Sequence, residues 1–350
     1  MKAEMTIGTA MAVLTLAVAA GNALAQDIPE TELNVVGSIS SLSQYKDFEV
    51  PFWSETIPEA SGGKVTATLS GFDELGLKGG EVLRLIGQGV IQIGAPIPAY
   101  LAADDPTNEI LEMPGLSPDA ATARKMAAAA EPVYARMYEE KFGVKLLALA
   151  AYPGQMLFCN AEIAALADIA GKKVRVSGRA QSEFIDALGG TPVTLAFGEV
   201  VPALQNKVAD CAITGTLPGY SAKWYEVATH LYGQIVTWGH LSYAVNLDFW
   251  NGLDPALQNL LQTEMDALEE TLWQAAAEQT DLGVACNTGG AGCTLEPAGT
   301  MTLVEPSEGD REALVGLLKE KLLPAWAARC SEDCVTGFNE TVGRLIDVKL

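Results

Sequence analysis

Arg175 is the residue of this sequence with the clearest chemical potential. It stands in the short run KKVRV at 172–176, which is otherwise β-branched and apolar after its two lysines. A guanidinium group in a buried strand needs a partner, because an unpaired buried charge is costly. Its planar fork can hold a carboxylate through two parallel hydrogen bonds. Two partners are considered: an organic acid taken from solution and a structural carboxylate of the protein itself.

The sequence has two histidines, His230 and His240, and only these could provide imidazole for acid–base or metal chemistry. His230 lies near a predicted helix end, which favours a protonated imidazole, so a structural role is expected. His240 lies on a predicted strand beside Trp238, and both are candidate ligand contacts. The sequence lacks G-x-S-x-G, P-loop, H-E-x-x-H and strand-linked G-x-G-x-x-G motifs. We therefore predict neither an enzyme nor a bound cofactor or metal.

The segment 171–210 supplies the elements that position Arg175. After the strand comes a predicted amphipathic helix containing Phe184 and Leu188, which Gly189 and Gly190 end. An apolar strand at 192–197 and a second helix follow. An alternation of strands and helices predicts a mostly parallel sheet, in which ligands bind at the carboxyl ends of the strands.

The first part of the chain repeats this order. Strands are predicted at 32–36, 65–69 and 90–93, with helices between them. Ser38 lies in the small polar loop after the first strand, and Tyr100 follows the third, so both are candidate cleft residues. Further strands are predicted at 145–151, 155–160 and 235–246, and a helix at 218–229. A long helix should begin at Pro255 and reach about Leu282.

Composition indicates an exported protein of two lobes. Residues 1–25 have the features of a signal peptide: a basic start, an apolar run and an A-x-A site at 23–25. About 325 mature residues exceed what one core usually holds. The net charge of −22, from 22 basic and 44 acidic residues, excludes nucleic acid and anionic membranes as partners. An anion site must then be positive locally, and the expected location is the periplasm.

Six cysteines beyond the leader fit an oxidising compartment. Two pairs are close in sequence, Cys286 with Cys293 and Cys330 with Cys334, and we favour local disulfides. The alternative is that these two pairs cross-link one another. Cys159 and Cys211 would form a third disulfide if their strands are neighbours, and would otherwise be free buried thiols.

The segment 171–210 also resembles the second-domain core of the solute-binding proteins of tripartite ATP-independent periplasmic (TRAP) transporters, the DctP family. That pattern is a basic turn into a strand with one arginine, then Leu-Gly-x-x-Pro, Glu-Val, Ala-Leu-Gln and an Asp. The matching residues are Lys172, Lys173, Arg175, Leu188, Gly189, Pro192, Glu199, Val200, Ala203, Leu204, Gln205 and Asp210. Weaker similarity extends over nearly the whole mature chain.

The resemblance implies an α/β, two-lobed, periplasmic-binding-protein-like fold with mixed sheets and a long helix spanning both lobes. Lobe I would comprise 26–152 and 241–280, and lobe II 153–240 and 281–350, with the ligand cleft between them. It implies that Arg175 binds the carboxylate of a small organic acid. It further implies delivery of that solute to TRAP integral-membrane subunits.

Two departures from the family pattern bear on the ligand. Many members carry a second arginine where this chain has Gln155, and an Asn where it has Thr214. With Phe158 and Trp238 nearby, one arginine and aromatic walls suit a monocarboxylate with an apolar or aromatic body. Core packing is the alternative role for these aromatic residues.

Two rival functions remain open at this point. A solute receptor of an ABC importer fits the leader and the two lobes, although the pattern at 171–210 does not match. A secreted hydrolase would need a nucleophile and a base, for which only the two histidines are available.

Overall fold

The computed structural model describes residues 28–350, so the signal peptide predicted at 1–25 lies outside the described residues. The strands are β1 Thr31–Gly37, β2 Val65–Gly71, β3 Ile93–Gly94, β4 Val144–Cys159, β5 Lys173–Val176, β6 Thr191–Thr194, β7 Cys211–Gly215, β8 His230–Asn246 and β9 Thr302–Val304. The α-helices are α1 Ile57–Ala60, α2 Val82–Gly87, α3 Ala120–Met137, α4 Arg179–Ala187, α5 Val200–Gln205, α6 Thr216–Ser221, α7 Leu247–Gly252, α8 Pro255–Thr288, α9 Glu308–Leu317, α10 Leu323–Ala327, α11 Glu332–Glu340 and α12 Val342–Leu345. Short 3₁₀ or π turns lie at Gln44–Glu49, Phe52–Thr56, Pro98–Leu101, Pro106–Glu109, Tyr138–Phe142, Leu166–Ile169, Phe197–Glu199, Trp224–Glu226 and Leu318–Leu322.

The strands form one mixed sheet in the order β2-β1-β3-β8-β4-β7-β5-β6, and β9 pairs with β8. Strands β1, β2 and β3 are parallel and build the first lobe. Strands β5, β6 and β7 are parallel and build the second lobe. The antiparallel pair β4 and β8 belongs to both, because β8 pairs with β3 at one end and β4 pairs with β7 at the other. This confirms the predicted fold class.

Strand β4 is longer than the sequence predicts. The two strands expected at 145–151 and 155–160 are one strand, Val144–Cys159, buried along almost its whole length. Its pairing with β8 shifts register between Ala151 and Gly154. Pro153 and Gly154 lie at this irregularity, and the Gly154 N–H donates to Thr280 Oγ1 of α8 at 2.8 Å. The irregularity therefore bends a continuous strand instead of ending it.

Helix α8 is the long helix that the sequence predicts, extended to Thr288. The Asp254 side chain accepts from the Ala256 N–H at its start, and Gly289 ends it at φ +72°. Its 34 residues span about 50 Å, and it contacts α3 of the first lobe and α6 of the second. A Cβ at Gly283 would lie 2.2 Å from the Leu217 amide nitrogen, so this contact requires glycine.

Two predicted elements are wrong in extent. The helix predicted at 218–229 is α6, which stops by Ala222 because Lys223 adopts a left-handed conformation at φ 59°. A separate 3₁₀ turn at Trp224–Glu226 then buries Trp224. The strand predicted at 90–93 is Ile93–Gly94, and Val90 is 70% exposed in the preceding turn.

The C-terminal segment, expected on the second lobe, contacts both lobes. Helices α11 and α12 pack on α3, while the turn Leu318–Leu322 contacts α4. The Trp326 indole N–H donates to the Pro106 carbonyl oxygen at 2.8 Å, which ties this segment to the first lobe.

Three disulfides are present in the described residues. Cys286 pairs with Cys293 and Cys330 with Cys334, as the local scheme predicts, so these pairs do not cross-link. Cys159 pairs with Cys211 across directly opposed positions of β4 and β7, behind the cleft-facing end of the second lobe. Between residues 28 and 350, no helix is long and apolar enough to cross a membrane.

Candidate functional site

A cavity lies between the lobes at the carboxyl ends of their parallel strands. It contains about 440 Å³ of empty space, its open mouth included. Residues at or just after the ends of β1, β3, β5 and β7 line it, as expected for an α/β sheet: Ile39, Tyr100, Ser177 and Gly215.

Arg175, on β5, lines this cavity and is only 2% exposed. Its Nε donates to the Leu195 carbonyl oxygen at 3.1 Å, and its Nη1 donates to the Ile213 carbonyl oxygen at 2.8 Å. Nη2 is buried and has no hydrogen-bond partner among residues 28–350, and no carboxylate of that range forms an ion pair with the group. Burial lowers the pKa of Arg175, and the Tyr100 hydroxyl partly opposes this decrease. Nη2 is thus a donor of fixed direction that no group of residues 28–350 satisfies.

An aromatic stack holds the guanidinium in place. The Arg175 Cζ lies 6.0 Å from the ring centroid of Trp224, within range of a cation–π interaction. Trp224 packs edge-to-face on Phe158, at 5.4 Å, and stacks on Phe197, at 5.6 Å. Phe197 itself lines the cavity. The apolar stack and the two carbonyl contacts together fix the arginine before any ligand arrives.

Gln155 and Thr214 line the cavity beside Arg175. The pairing of β4 with β7 sets Gln155 against Gly215 and Met156 against Thr214, so the two polar residues lie on neighbouring strands. Gln181 orients Gln155, because its Nε2 donates to Gln155 Oε1 at 2.6 Å. Gly239 makes room on the other side, since a Cβ there would lie 2.6 Å from Gln155 Nε2.

Tyr100 brings the first lobe to the same cavity. It lies in the 3₁₀ turn Pro98–Leu101 after β3. Burial raises the pKa of its hydroxyl, and the positive charge of Arg175 on the second lobe opposes this. The two side chains therefore face each other across the cleft. Of the eight predicted contacts, Arg175, Gln155, Thr214 and Tyr100 come together here.

The other four predicted contacts do not line the cavity. Trp238 and His240 share one face of β8, and Gly239 between them takes the cavity side, because successive strand residues alternate. The contacts made elsewhere are as follows: the Trp238 indole N–H donates to Ser117 O at 3.1 Å, the Ser38 N–H donates to Glu49 Oε2 at 2.8 Å, His240 Nδ1 lies 3.2 Å from Glu112 Oε1, and Phe158 packs beneath Trp224.

Sequence reasoning missed several residues of the lining: Glu112, Tyr152, Ser177 and Phe197. Glu112 had a signal, because it is the one acid within the apolar stretch ILEMPGL at 110–116. It is 2% exposed, and its Oε1 accepts from the His240 main-chain N–H at 2.8 Å. Within the described range, no three His, Cys, Asp or Glu side chains are grouped to hold a metal ion.

Comparisons with known proteins agree on one family. A family model described as bacterial extracellular solute-binding protein, family 7 (DctP) matches residues 37–305. The ectoine-binding periplasmic protein TeaA of Halomonas elongata is 29% identical over 203 residues, covering 56% of this chain and 58% of that protein. The C4-dicarboxylate-binding periplasmic protein DctP of Rhodobacter capsulatus is 34% identical over 101 residues, covering 28% of this chain and 30% of that protein. The chain thus matches less than two thirds of the length of either relative.

A solved structure shares the whole fold. A Bordetella pertussis extracytoplasmic solute receptor that binds pyroglutamic acid superimposes with a TM-score of 0.78 at 21% identity, over 89% of this chain and 99% of that one. At 21% sequence identity, this structural similarity establishes the two-lobed fold. Because the family model covers most of the described residues, the chain belongs to the bacterial extracellular solute-binding proteins of family 7, the DctP receptors of TRAP transporters, which bind solutes.

Proposed function

We propose that this protein is a periplasmic receptor that binds a monocarboxylate with an apolar or aromatic body and delivers it to TRAP membrane subunits. The observation that carries the proposal is the buried Arg175, whose Nη2 faces no partner in residues 28–350. A ligand carboxylate satisfies this donor, and a charged hydrogen bond in a dry site contributes about 1.5–3 kcal/mol. The family match favours this function over an ABC-importer receptor or a secreted hydrolase.

The lining of the cavity supports the ligand class. Among residues 28–350, Arg175 is the one basic side chain that lines it, so these residues offer one full positive charge for one carboxylate. The remainder combines apolar surface from Ile39, Ile97 and Phe197 with neutral polar groups and one carboxyl group, that of Glu112. Similar proteins are named for ectoine, C4-dicarboxylates and pyroglutamic acid, which supports the broader class of small carboxylates.

We propose that ligand binding closes the two lobes about the β4–β8 pair. The lobe boundaries predicted from the sequence, at 152/153 and 240/241, lie at the register shift between Ala151–His240 and Gly154–Trp238, which supports a hinge there. A ligand that contacts Arg175 and Tyr100 touches both lobes and so favours the closed form. The closed form would be the one that TRAP subunits recognise.

Replacing Arg175 tests the function. Isothermal titration calorimetry with a panel of small monocarboxylates identifies a bound probe, and Arg175→Lys and Arg175→Ala are then titrated with it. We expect a loss of affinity of at least about 30-fold for both variants, because Lys cannot reproduce the planar fork.

Arg136→Ala is the matched control, since Arg136 is exposed and distant from the cavity lining. It removes the same charge and should bind as the wild type does. Wild-type affinity in both Arg175 variants, or a larger thermal shift with succinate or malate than with every monocarboxylate, would contradict the proposal.

A further inference from the structure

Glu112 gives the cavity a second charged group, of sign opposite to Arg175. It lies between the 3₁₀ turn Pro106–Glu109 and α3, lines the same cavity as Arg175, and is 2% exposed. Its Oε1 accepts both of its hydrogen bonds, from the His240 main-chain nitrogen and from His240 Nδ1. Both hydrogen bonds of Glu112 within residues 28–350 use Oε1, so Oε2 is the oxygen left for a ligand in the cavity.

His240 occupies only one of the two oxygens of Glu112. His240 Nε2 is buried without a hydrogen-bond partner in the described chain. A protonated imidazole would leave an N–H unsatisfied there, whereas a neutral one with its proton on Nδ1 leaves only a lone pair. The geometry therefore suits an imidazole whose Nδ1–H donates to Glu112 Oε1, and Oε2 remains the open acceptor of the pair.

Both charges act at the same place in the cleft. Tyr100 lines the cavity together with both of them. Arg175 lowers the pKa of its hydroxyl and Glu112 raises it, next to a larger increase from burial. A ligand lying against Tyr100 is therefore within reach of a cation on the second lobe and an anion on the first.

We propose that Glu112 accepts a hydrogen bond from a nitrogen of the ligand, so the solute is a monocarboxylate that carries an N–H group. This rests on the proposed function, because Arg175 takes the carboxylate. A dicarboxylate would place its second negative charge beside a buried anion and is disfavoured. An N–H donor of the ligand, cationic or neutral, instead completes the bonding of Oε2.

The test uses three acids with a five-membered ring, cyclopentanecarboxylate, L-proline with a ring nitrogen, and L-pyroglutamate with a ring nitrogen and a neighbouring carbonyl, together with the acyclic dicarboxylate succinate. Calorimetry should give affinities at least about tenfold higher for one or both nitrogen-bearing probes than for cyclopentanecarboxylate. In Glu112→Gln, an amide N–H₂ replaces Oε2. This variant should reduce that preference to less than about threefold and improve succinate binding, whereas loss of a merely structural group would weaken all probes alike.

Glu139→Gln is the control, since Glu139 is exposed and the substitution removes the same charge. Equal affinity of cyclopentanecarboxylate and both nitrogen probes, or an equal loss for all probes in Glu112→Gln, overturns the inference and leaves the role of Arg175 intact. If the wild type binds no carboxylate at all, the proposed function fails and this inference fails with it.

Discussion

Each nitrogen of the Arg175 guanidinium has a different task. Two nitrogens are fixed by main-chain carbonyl groups, and the ring of Trp224 supports the planar face. The third nitrogen, Nη2, therefore has a fixed direction and no hydrogen-bond partner in residues 28–350. Preorganisation of this kind lowers the entropy lost on binding, because the side chain does not need to be ordered by the ligand.

A second buried charge site, Glu49, gives a prediction about pH. Glu49 accepts from the Ser38 N–H at 2.8 Å and from the Tyr243 hydroxyl at 3.1 Å, and burial raises its pKa from 4.5 to about 7. Between these values the native state keeps a proton that the unfolded state releases. The stability that protonated Glu49 contributes is therefore fully present below pH 4.5. As the pH rises through 7, the free energy of unfolding falls by about 3 kcal/mol.

Urea unfolding of the wild type and of Glu49→Gln at pH 4.5, 6 and 8 measures this loss. The variant lacks the titrating group. Between pH 4.5 and 8 its free energy of unfolding should therefore fall by about 3 kcal/mol less than that of the wild type. Glu269, whose pKa burial also raises to about 7, remains in both proteins and cancels in the comparison. Identical pH profiles would show that Glu49 does not titrate in this way.

At the residue scale, sequence predicts a side chain's role only where its type conflicts with its surroundings. Arg175 was identifiable because a charge in an apolar strand demands a partner. Trp238 and His240 were predicted to contact ligand but are not part of the cavity lining, because sequence alone does not fix which face of a long, fully buried strand meets the cleft. The glycine between them faces the cavity instead.

At the element scale, the C-terminal segment links the two lobes through Arg329. This side chain forms ion pairs with Glu109 of the first lobe and with Glu183 of α4 in the second, the latter at 3.1 Å. Glu109 is 1% exposed, and burial raises its pKa while Arg329 opposes the increase. Removing the arginine would leave this carboxylate buried without its cation.

We therefore expect Arg329→Met to lower the free energy of unfolding by about 3 kcal/mol. The double variant Glu109→Gln/Arg329→Met should recover most of that loss, because no buried charge remains. Arg311→Met is the control: Arg311 pairs with the exposed Glu308 at 3.3 Å, and its loss should cost less than about 1 kcal/mol. Urea titration of all three at pH 7 decides; equal losses for Arg329→Met and Arg311→Met would refute the link.

The elements themselves followed from local pattern more reliably than their partners did. Alternating strands and helices and the capped start of α8 were readable, since periodicity and capping are local properties. The docking of α11 and α12 on α3 was not, because an amphipathic helix specifies a buried face but not the surface that covers it. The same limit applies to the strands predicted at 145–151 and 155–160. Local pattern did not show that a bend joins them into the single strand β4.

At the scale of the whole molecule, closure depends on what fills the cleft. The ion pair across its mouth, Lys78 with Glu199 at 3.5 Å, joins two exposed side chains and adds little stability. A protein of net charge −22 also repels anions at a distance. The attraction for a carboxylate is therefore confined to the cavity, where Arg175 outweighs the surrounding field at short range.

The most direct test is a crystal structure of the protein with the monocarboxylate that binds most tightly in the calorimetric panel. We expect closed lobes and a ligand carboxylate oxygen about 2.9 Å from Arg175 Nη2. A carboxylate bound elsewhere in the cleft, with Arg175 Nη2 contacting only protein or water, would contradict it.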